Sequence, residues 1–223
     1  MEIKIVKKVL DANLTVAEQN RKLFRDNRVF VINVMSSPGS GKTTLLEKTL
    51  TKLSSEIRAG IIVGDVSTTH DAERLARSGA PVVQVNTDEF GGDCHLAAHV
   101  IAKALENFDV KQLDLLIIEN VGNLVCPAEF DIGEDVKAVV LSVTEGEDKP
   151  VKYPLMFRVC DVAVLNKIDL LPHLDYDRQA AVNYIHQVNS GMPIFELSAK
   201  TEAGMEAWLN YIREKTKQKN EMI

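Results

Sequence analysis

Apolar residues recur along the chain at two spacings, and each spacing predicts a different element. Seven short apolar runs, rich in β-branched residues, are typical of buried strands; they cover residues 29–35, 59–63, 82–85, 113–118, 138–143, 162–165 and 194–197. Apolar residues three or four positions apart predict helices between most of them, over 45–53, 72–76, 95–105, 178–188 and 205–211. This alternation favours an α/β fold, with a mostly parallel sheet covered by helices on both faces.

The start of the chain has a different pattern. Helical spacing runs over residues 5–27, before the first predicted strand. We therefore predict an N-terminal helical segment over 1–28 and one large domain over 29–223. A chain of 223 residues is long enough for such a domain to bury a full core.

Composition and charge limit which binding partners and which cell compartment we expect. The net charge of −6 disfavours nucleic acid or an anionic membrane as the main partner. No apolar run approaches the length of a membrane span and no signal peptide opens the sequence, so we expect a cytoplasmic protein. Three cysteines in a reducing compartment are expected to be thiols or metal ligands.

The loop after the first predicted strand has the pattern of a phosphate-binding loop. Residues 36–43 match G-x-x-x-x-G-K-[ST], except that Ser36 replaces the first glycine. Glycine lets backbone N–H groups approach phosphates, lysine adds a positive charge, and the threonine hydroxyl is suited to Mg²⁺. The predicted phosphate ligands are Ser37, Pro38, Gly39, Ser40, Gly41, Lys42, Thr43 and Thr44.

Two later loops select the base. Asn166, Lys167 and Asp169 follow the sixth predicted strand as N-K-x-D, in which the carboxylate can accept two hydrogen bonds from guanine that adenine does not offer. Ser198, Ala199 and Lys200 follow the seventh predicted strand and resemble the loop that closes over guanine in GTPases, which would make them a second base-binding loop. The bound nucleotide is therefore predicted to be GTP or GDP.

Carboxylates follow two other predicted strands. Glu119 begins the stretch E-N-V-G, in which Gly122 is expected to bond the γ-phosphate. Asp65 follows the second predicted strand and is either a Mg²⁺ ligand or water-positioning residue, or a helix cap or turn residue. We predict that Thr43, Asp65 and Glu119 hold Mg²⁺ and that Lys42, Asp65 and Glu119 act in hydrolysis. No glutamine or arginine is evidently placed to activate water, so we expect weak intrinsic GTP turnover.

Together, these motifs in this order resemble the metallochaperone branch of the dimer-activated, SIMIBI-like P-loop GTPases. The resemblance covers about residues 10–215 and is supported by stretches 64–72, 91–95, 119–129 and 149–152. It implies GTP hydrolysis coupled to nickel delivery during [NiFe]-hydrogenase maturation. It also implies a GTP-dependent homodimer, a HypA-type nickel-binding partner and the hydrogenase large-subunit precursor as client.

The most specific part of the resemblance is Cys94, His95 and Cys126, which would bind nickel or zinc. Three ligands leave a tetrahedral site incomplete, and a second protomer could supply the rest. Since Cys126 lies four residues after Gly122, hydrolysis could reshape the metal site. From spacing alone, these residues could equally be small buried side chains and a surface imidazole. Residues 1–28 contain no Cys or His, so no N-terminal nickel site is expected.

Three other functions stay open on the sequence. One is a UreG-like role in urease maturation, and another is a metal carrier that uses nucleotide only as a structural switch. The third is an ATP-dependent kinase on the same scaffold, which the N-K-x-D sequence disfavours.

Overall fold

The computed structural model describes residues 3–65, 70–87 and 94–221, and the predicted positions 66–69 and 91–93 lie outside these ranges. Seven strands form one parallel sheet in the order β3-β2-β4-β1-β5-β6-β7. They are β1 (Phe30–Ser36), β2 (Ala59–Asp65), β3 (Val82–Asn86), β4 (Leu115–Gly122), β5 (Val136–Ser142), β6 (Val162–Asn166) and β7 (Ile194–Glu196). The predicted parallel α/β sheet is confirmed.

The helices within the described ranges connect these strands. They are α1 (Ile3–Asp26), α2 (Lys42–Leu53), α3 (His70–Ala76), α4 (Ala98–Leu105), α5 (Cys126–Glu129), α6 (Lys149–Lys152), α7 (Pro154–Val159), α8 (Arg178–Val188) and α9 (Met205–Asn220). Short 3-10 turns occupy Val110–Gln112 and Ile168–His173. Within this part of the chain, no helix is both long enough and apolar enough to cross a bilayer.

Alternating side chains of the strands build cores on the two faces of the sheet. On one face, Ile32 and Val34 pack with residues of α2 and α9, among them Leu46 and Trp208. On the other face, Val31 packs with α1 and α4 residues, and Met35 packs with residues of α7 and α8. Helices therefore cover both faces, as the pattern predicted.

Two predicted boundaries are wrong in a way that matters for the site. The strand predicted over 113–118 runs from Leu115 to Gly122, because Glu119 and Asn120 are buried in the sheet despite their polarity. The helix predicted over 95–105 begins only at Ala98, after Ala97 in an extended conformation. The first helix, α1, packs against α4 and buries Phe24, and a division of the chain at residue 28 stays a prediction.

Candidate functional site

The phosphate-binding loop links the carboxyl end of the central strand β1 to the first residue of α2. Gly39 and Gly41 have φ of 77° and 87°, in the left-handed region that favours glycine. A Cβ on Gly41 would lie 2.6 Å from Asn166 Nδ2, so a side chain is excluded there by contact as well as by conformation. Backbone N–H groups at the start of α2 favour a bound anion.

Ser36 replaces the first glycine of the motif without strain. It is the last residue of β1, and its φ lies outside the left-handed region. The buried Ser36 hydroxyl donates a hydrogen bond to the carbonyl of Ser37 at 2.8 Å. Because the backbone is still extended at this position, the fold does not require a glycine here.

A cavity of about 450 Å³ opens over this loop, a volume within the usual range for small-ligand sites. It gathers the ends of β1, β2 and β4 with one side of α3. The lining residues are Ser36 to Thr44, Gly64, Asp65, Asp71, Arg74, Glu119, Val121 and Gly122. The predicted phosphate-binding and Mg²⁺-binding residues therefore share one cavity.

Glu119 is the acidic centre of this cavity. It is 2% exposed, and its Oε1 accepts hydrogen bonds from the Thr43 hydroxyl at 2.7 Å and from Lys42 Nζ at 3.1 Å. Its other oxygen, Oε2, is buried without a hydrogen-bond partner among the described residues. A carboxylate oxygen in this state, beside a threonine hydroxyl and with Asp65 in the same cavity, fits a hard cation such as Mg²⁺.

Gly122 ends β4 directly against the phosphate-binding loop. A Cβ at this position would meet three Pro38 atoms, including the backbone N and Cα, each at 3.2 Å. This contact is tighter than an ordinary side chain tolerates, so glycine lets the two backbones approach. The position suits a backbone N–H that bonds a terminal phosphate.

Asn166 joins the three loops predicted to surround the nucleotide. Its Nδ2 donates to the carbonyl of Ser40 at 3.0 Å, while its Oδ1 accepts from the N–H groups of Lys167 at 2.8 Å and Ala199 at 3.0 Å. Lys167 Nζ in turn donates to the carbonyl of Gly39 at 2.6 Å. One buried amide thus ties the phosphate-binding loop to both base-binding loops.

Asp169 lies beside this junction, on the 3-10 turn Ile168–His173. Its Oδ1 is buried and has no hydrogen-bond partner within the described part of the chain. In the adjoining loop, Ser198 is fully buried and its hydroxyl accepts from the N–H of Thr201, whereas Lys200 is exposed. A buried carboxylate oxygen without a partner at this place can accept a hydrogen bond from a nucleotide base that carries N–H groups.

The two cysteines of the predicted metal site lie together. Interaction with the neighbouring Cys126 thiol, followed by burial, raises the pKa of Cys94. The ring of His95 stacks on Phe130 at 3.8 Å between centroids. Among residues 3–65, 70–87 and 94–221, no group of three or more His, Cys, Asp or Glu residues is arranged to hold a metal. Within these residues, the structure presents a thiol pair as the candidate metal ligands.

The third cysteine, Cys160, has a different environment. It is buried in the core and its thiol contacts the Met156 sulfur at 3.7 Å. Burial raises the pKa of Cys160 far above its usual range. It is a packing residue of the core.

Two residues of the site carried no signal in the sequence. Arg74 lines the cavity, and its Nη2 donates to the Thr44 hydroxyl at 3.1 Å and to Glu47 Oε2 at 2.7 Å. Glu145 accepts from the Ser37 hydroxyl and also from the N–H of Ser142 at 3.2 Å. Both contacts join separate elements, and no local motif marks them.

Comparison with known proteins agrees with this geometry. The family model described as "CobW/HypB/UreG, nucleotide-binding domain" matches residues 30–196. The hydrogenase maturation factor HypB of Azotobacter chroococcum mcd 1 is 49% identical over 210 residues, which cover 94% of this chain and 68% of that protein.

Two solved structures share the architecture. The crystal structure of hydrogenase maturation factor HypB from Archaeoglobus fulgidus has a TM-score of 0.86 and 39% identity, and the match covers 93% of this chain and 100% of that one. HypB from Helicobacter pylori, crystallised in complex with nickel, has a TM-score of 0.87 and 34% identity, with 95% and 98% coverage.

Proposed function

The chain belongs to the CobW/HypB/UreG family of nucleotide-binding proteins, in the group of the hydrogenase maturation factors HypB, and we propose that it binds and hydrolyses GTP. We further propose that this cycle controls a Ni²⁺ or Zn²⁺ site at Cys94 and Cys126 during nickel insertion into [NiFe]-hydrogenase. The proposed place of action is the cytoplasm. The proposed assembly is a GTP-dependent homodimer that meets a HypA-type nickel-binding protein and the hydrogenase large-subunit precursor.

The proposal of guanine as the base rests on the buried, unpartnered Oδ1 of Asp169. It lies three residues after Asn166, whose amide joins the phosphate-binding loop to both base-binding loops. A purine placed over Lys167 would present its edge to this carboxylate. Guanine supplies a ring N–H and an amine there, whereas adenine would leave the buried carboxylate without donors.

At the other end of the nucleotide, the cavity residues suit phosphate chemistry. Lys42 supplies a positive charge to the β- and γ-phosphates, and the N–H of Gly122 supplies a donor to the γ-phosphate. Mg²⁺ held by Thr43, Glu119 and Asp65 would neutralise charge on the phosphate oxygens. Nucleotide binding would free Lys42 and Thr43 from their present bonds to Glu119.

Base selection is tested with the Asp169→Asn variant. Two charge-assisted hydrogen bonds are lost, each worth about 1.5–3 kcal/mol, so GTP affinity should fall by roughly 10²–10⁴-fold. Xanthosine triphosphate, which carries a carbonyl in place of the amine, should gain affinity. The matched control is Asp175→Asn, at an exposed carboxylate on the same loop. Unchanged GTP affinity in Asp169→Asn, or equal ATP and GTP affinity in the unaltered chain, would contradict the assignment.

Hydrolysis and its role are tested separately. We expect slow GTP turnover by the isolated chain, rising with protein concentration if a dimer is the active form. Lys42→Ala should abolish turnover and hydrogenase maturation together. Maturation that survives in Lys42→Ala would instead support a metal carrier in which hydrolysis is incidental.

The metal site is proposed from the thiol pair and from the family. Titration with Ni²⁺ and Zn²⁺ should show binding that Cys94→Ala and Cys126→Ala each weaken strongly, since thiolates are the preferred soft ligands. His95→Ala tests whether the imidazole adds a ligand, since stacking on Phe130 covers the ring face and leaves the ring edge for coordination. Cys160→Ala is the control, because its thiol is packed in the core. Oligomeric state recorded in the same titrations shows whether a second protomer completes the site.

A further inference from the structure

The backbone of residues 94–98, called here the 94–98 segment, is held by asparagine side chains from two sides. From the β4 side, Asn120 Oδ1 accepts from the N–H of Leu96 at 3.2 Å, and Asn123 Nδ2 donates to the carbonyl of Cys94 at 3.4 Å. From α1, Asn13 Oδ1 accepts from the N–H of Ala98 at 2.9 Å, and Asn20 Nδ2 donates to its carbonyl at 2.9 Å. The segment that carries Cys94 is therefore positioned by side-chain amides.

Asn120 is also the end of a buried chain of hydrogen bonds. Its Nδ2 donates to Asn33 Oδ1 at 3.2 Å, and Asn33 Nδ2 donates to Glu134 Oε1 at 3.1 Å. All three side chains are buried. The groups at the two ends of this chain fix the orientations of the Asn120 and Asn33 amides. At one end, the N–H of Leu96 requires an acceptor, which is Asn120 Oδ1. At the other end, Glu134 is an acceptor, and its Oε2 already accepts from the N–H of Ile132 at 2.8 Å.

The position of Asn120 in β4 connects this chain to the nucleotide site. Side chains of a strand alternate, so Glu119 faces Lys42 and Thr43 while Asn120 faces the 94–98 segment. The pairing of β4 with β1 shifts register between Glu119 and Gly122, a bulge of the kind that re-aims side chains next to functional sites. A change in the contacts of Glu119 or Gly122 is therefore transmitted to the neighbouring Asn120.

We propose that Asn120 is a positioning residue that couples the state of the nucleotide site to the placement of Cys94 beside Cys126. It contacts neither the nucleotide cavity nor a thiol, and it acts through the peptide of Leu96. When nucleotide binding changes the contacts of Glu119 and Gly122, Asn120 carries the 94–98 segment with it. This inference rests on the proposed nucleotide and metal functions.

The test compares Ni²⁺ affinity of the full chain with GDP and with a non-hydrolysable GTP analogue. By linkage, the ratio of the two dissociation constants measures the coupling, and we expect a ratio of about 5 or more. In Asn120→Leu the ratio should fall to within about twofold of 1. The matched control is Asn20→Leu. It removes the buried α1 amide that bonds to the same segment from the other side. Its absolute Ni²⁺ affinity can change, but its ratio should stay that of the unaltered chain.

A second readout does not depend on metal. Hydrogen exchange of the Leu96 amide should be slow in the unaltered chain, should respond to the nucleotide and should be fast in Asn120→Leu. If Asn120→Leu does not fold, Asn33→Ala keeps the bond to Leu96 but removes the group that orients it, so it should lower the ratio partially.

The outcomes separate the two proposals. A ratio that persists in Asn120→Leu, or that collapses equally in Asn20→Leu, overturns the role of Asn120 alone. Equal Ni²⁺ affinity in both nucleotide states of the unaltered chain overturns the coupling itself. Absence of Ni²⁺ binding contradicts the proposed metal function and this inference with it.

Discussion

Asn166→Ala should destabilise the nucleotide site, because the Asn166 side chain holds three loops together. The substitution leaves the carbonyl of Ser40 and the N–H of Ala199 without their partner, and both Ser40 and Ala199 are buried. Each orphaned buried group costs about 1–3 kcal/mol, so the free energy of unfolding should fall by roughly 2–6 kcal/mol. For a chain of this size, each kcal/mol lowers the Tm by about 2–4 °C.

The assay is thermal and urea unfolding of the nucleotide-free protein, followed by titration with GDP. GDP affinity should fall as well, because the loops that surround the base no longer share one anchor. Asn166→Asp keeps the acceptor for Lys167 and Ala199 but sets an oxygen against the Ser40 carbonyl. It should therefore disturb the phosphate-binding loop while sparing the loop at Ala199.

The control for this series is Asn183→Ala, which removes an exposed amide from α8 and should change stability by less than about 0.5 kcal/mol. If the unfolding free energy of Asn166→Ala also lies within about 0.5 kcal/mol of the unaltered chain, the loops are held by something else. That result would refute the assignment of Asn166 as their junction.

Three further predictions concern other parts of the chain. Arg74→Ala should weaken binding of a GTP analogue about tenfold, whereas the exposed Arg77→Ala should not, as titration with a fluorescent nucleotide would show. Gly41→Ala should cost roughly 1–2 kcal/mol in unfolding free energy from its left-handed backbone alone, and its Cβ clash should abolish nucleotide binding. The Arg58 guanidinium, through its hydrogen bonds to Asp114, lowers the pKa of that carboxyl. Arg58→Met should therefore lower the Tm at neutral pH, and the difference should vanish as pH falls through the folded pKa of Asp114, because the stabilising charge is then lost in both proteins.

The strands and the nucleotide motifs were predictable because they are local patterns. Apolar runs located every strand, and the order of strands and helices was enough for a parallel sheet. The end of β4 was missed because Glu119 and Asn120 are buried polar residues, and polarity in a sequence predicts exposure. Their burial is compensated by distant partners: Glu119 bonds to Thr43, 76 positions away, and Asn120 bonds to Asn33, 87 positions away. No local window of the sequence contains these pairs.

Site residues could be predicted when a short sequence motif defines their function, and could not when only the tertiary structure brings them together. Gly41 and Asp169 belong to motifs whose spacing carries the function. Arg74 enters the cavity only because α3 lies beside α2 in the fold. The pairing of Cys94 with Cys126 depends in the same way on tertiary structure, and the sequence could suggest it only through family resemblance.

The place of β1 at the centre of the sheet has a consequence during synthesis. Its neighbours are β4 and β5, which begin at Leu115 and Val136, so both partner strands of β1 are made only after α2, β2, α3, β3 and α4. Before then, β2 and β3 are the neighbouring strands already made, since they pair with each other. The nucleotide site is completed later still, because Asn166 ties the phosphate-binding loop to Ala199, in the loop that follows β7.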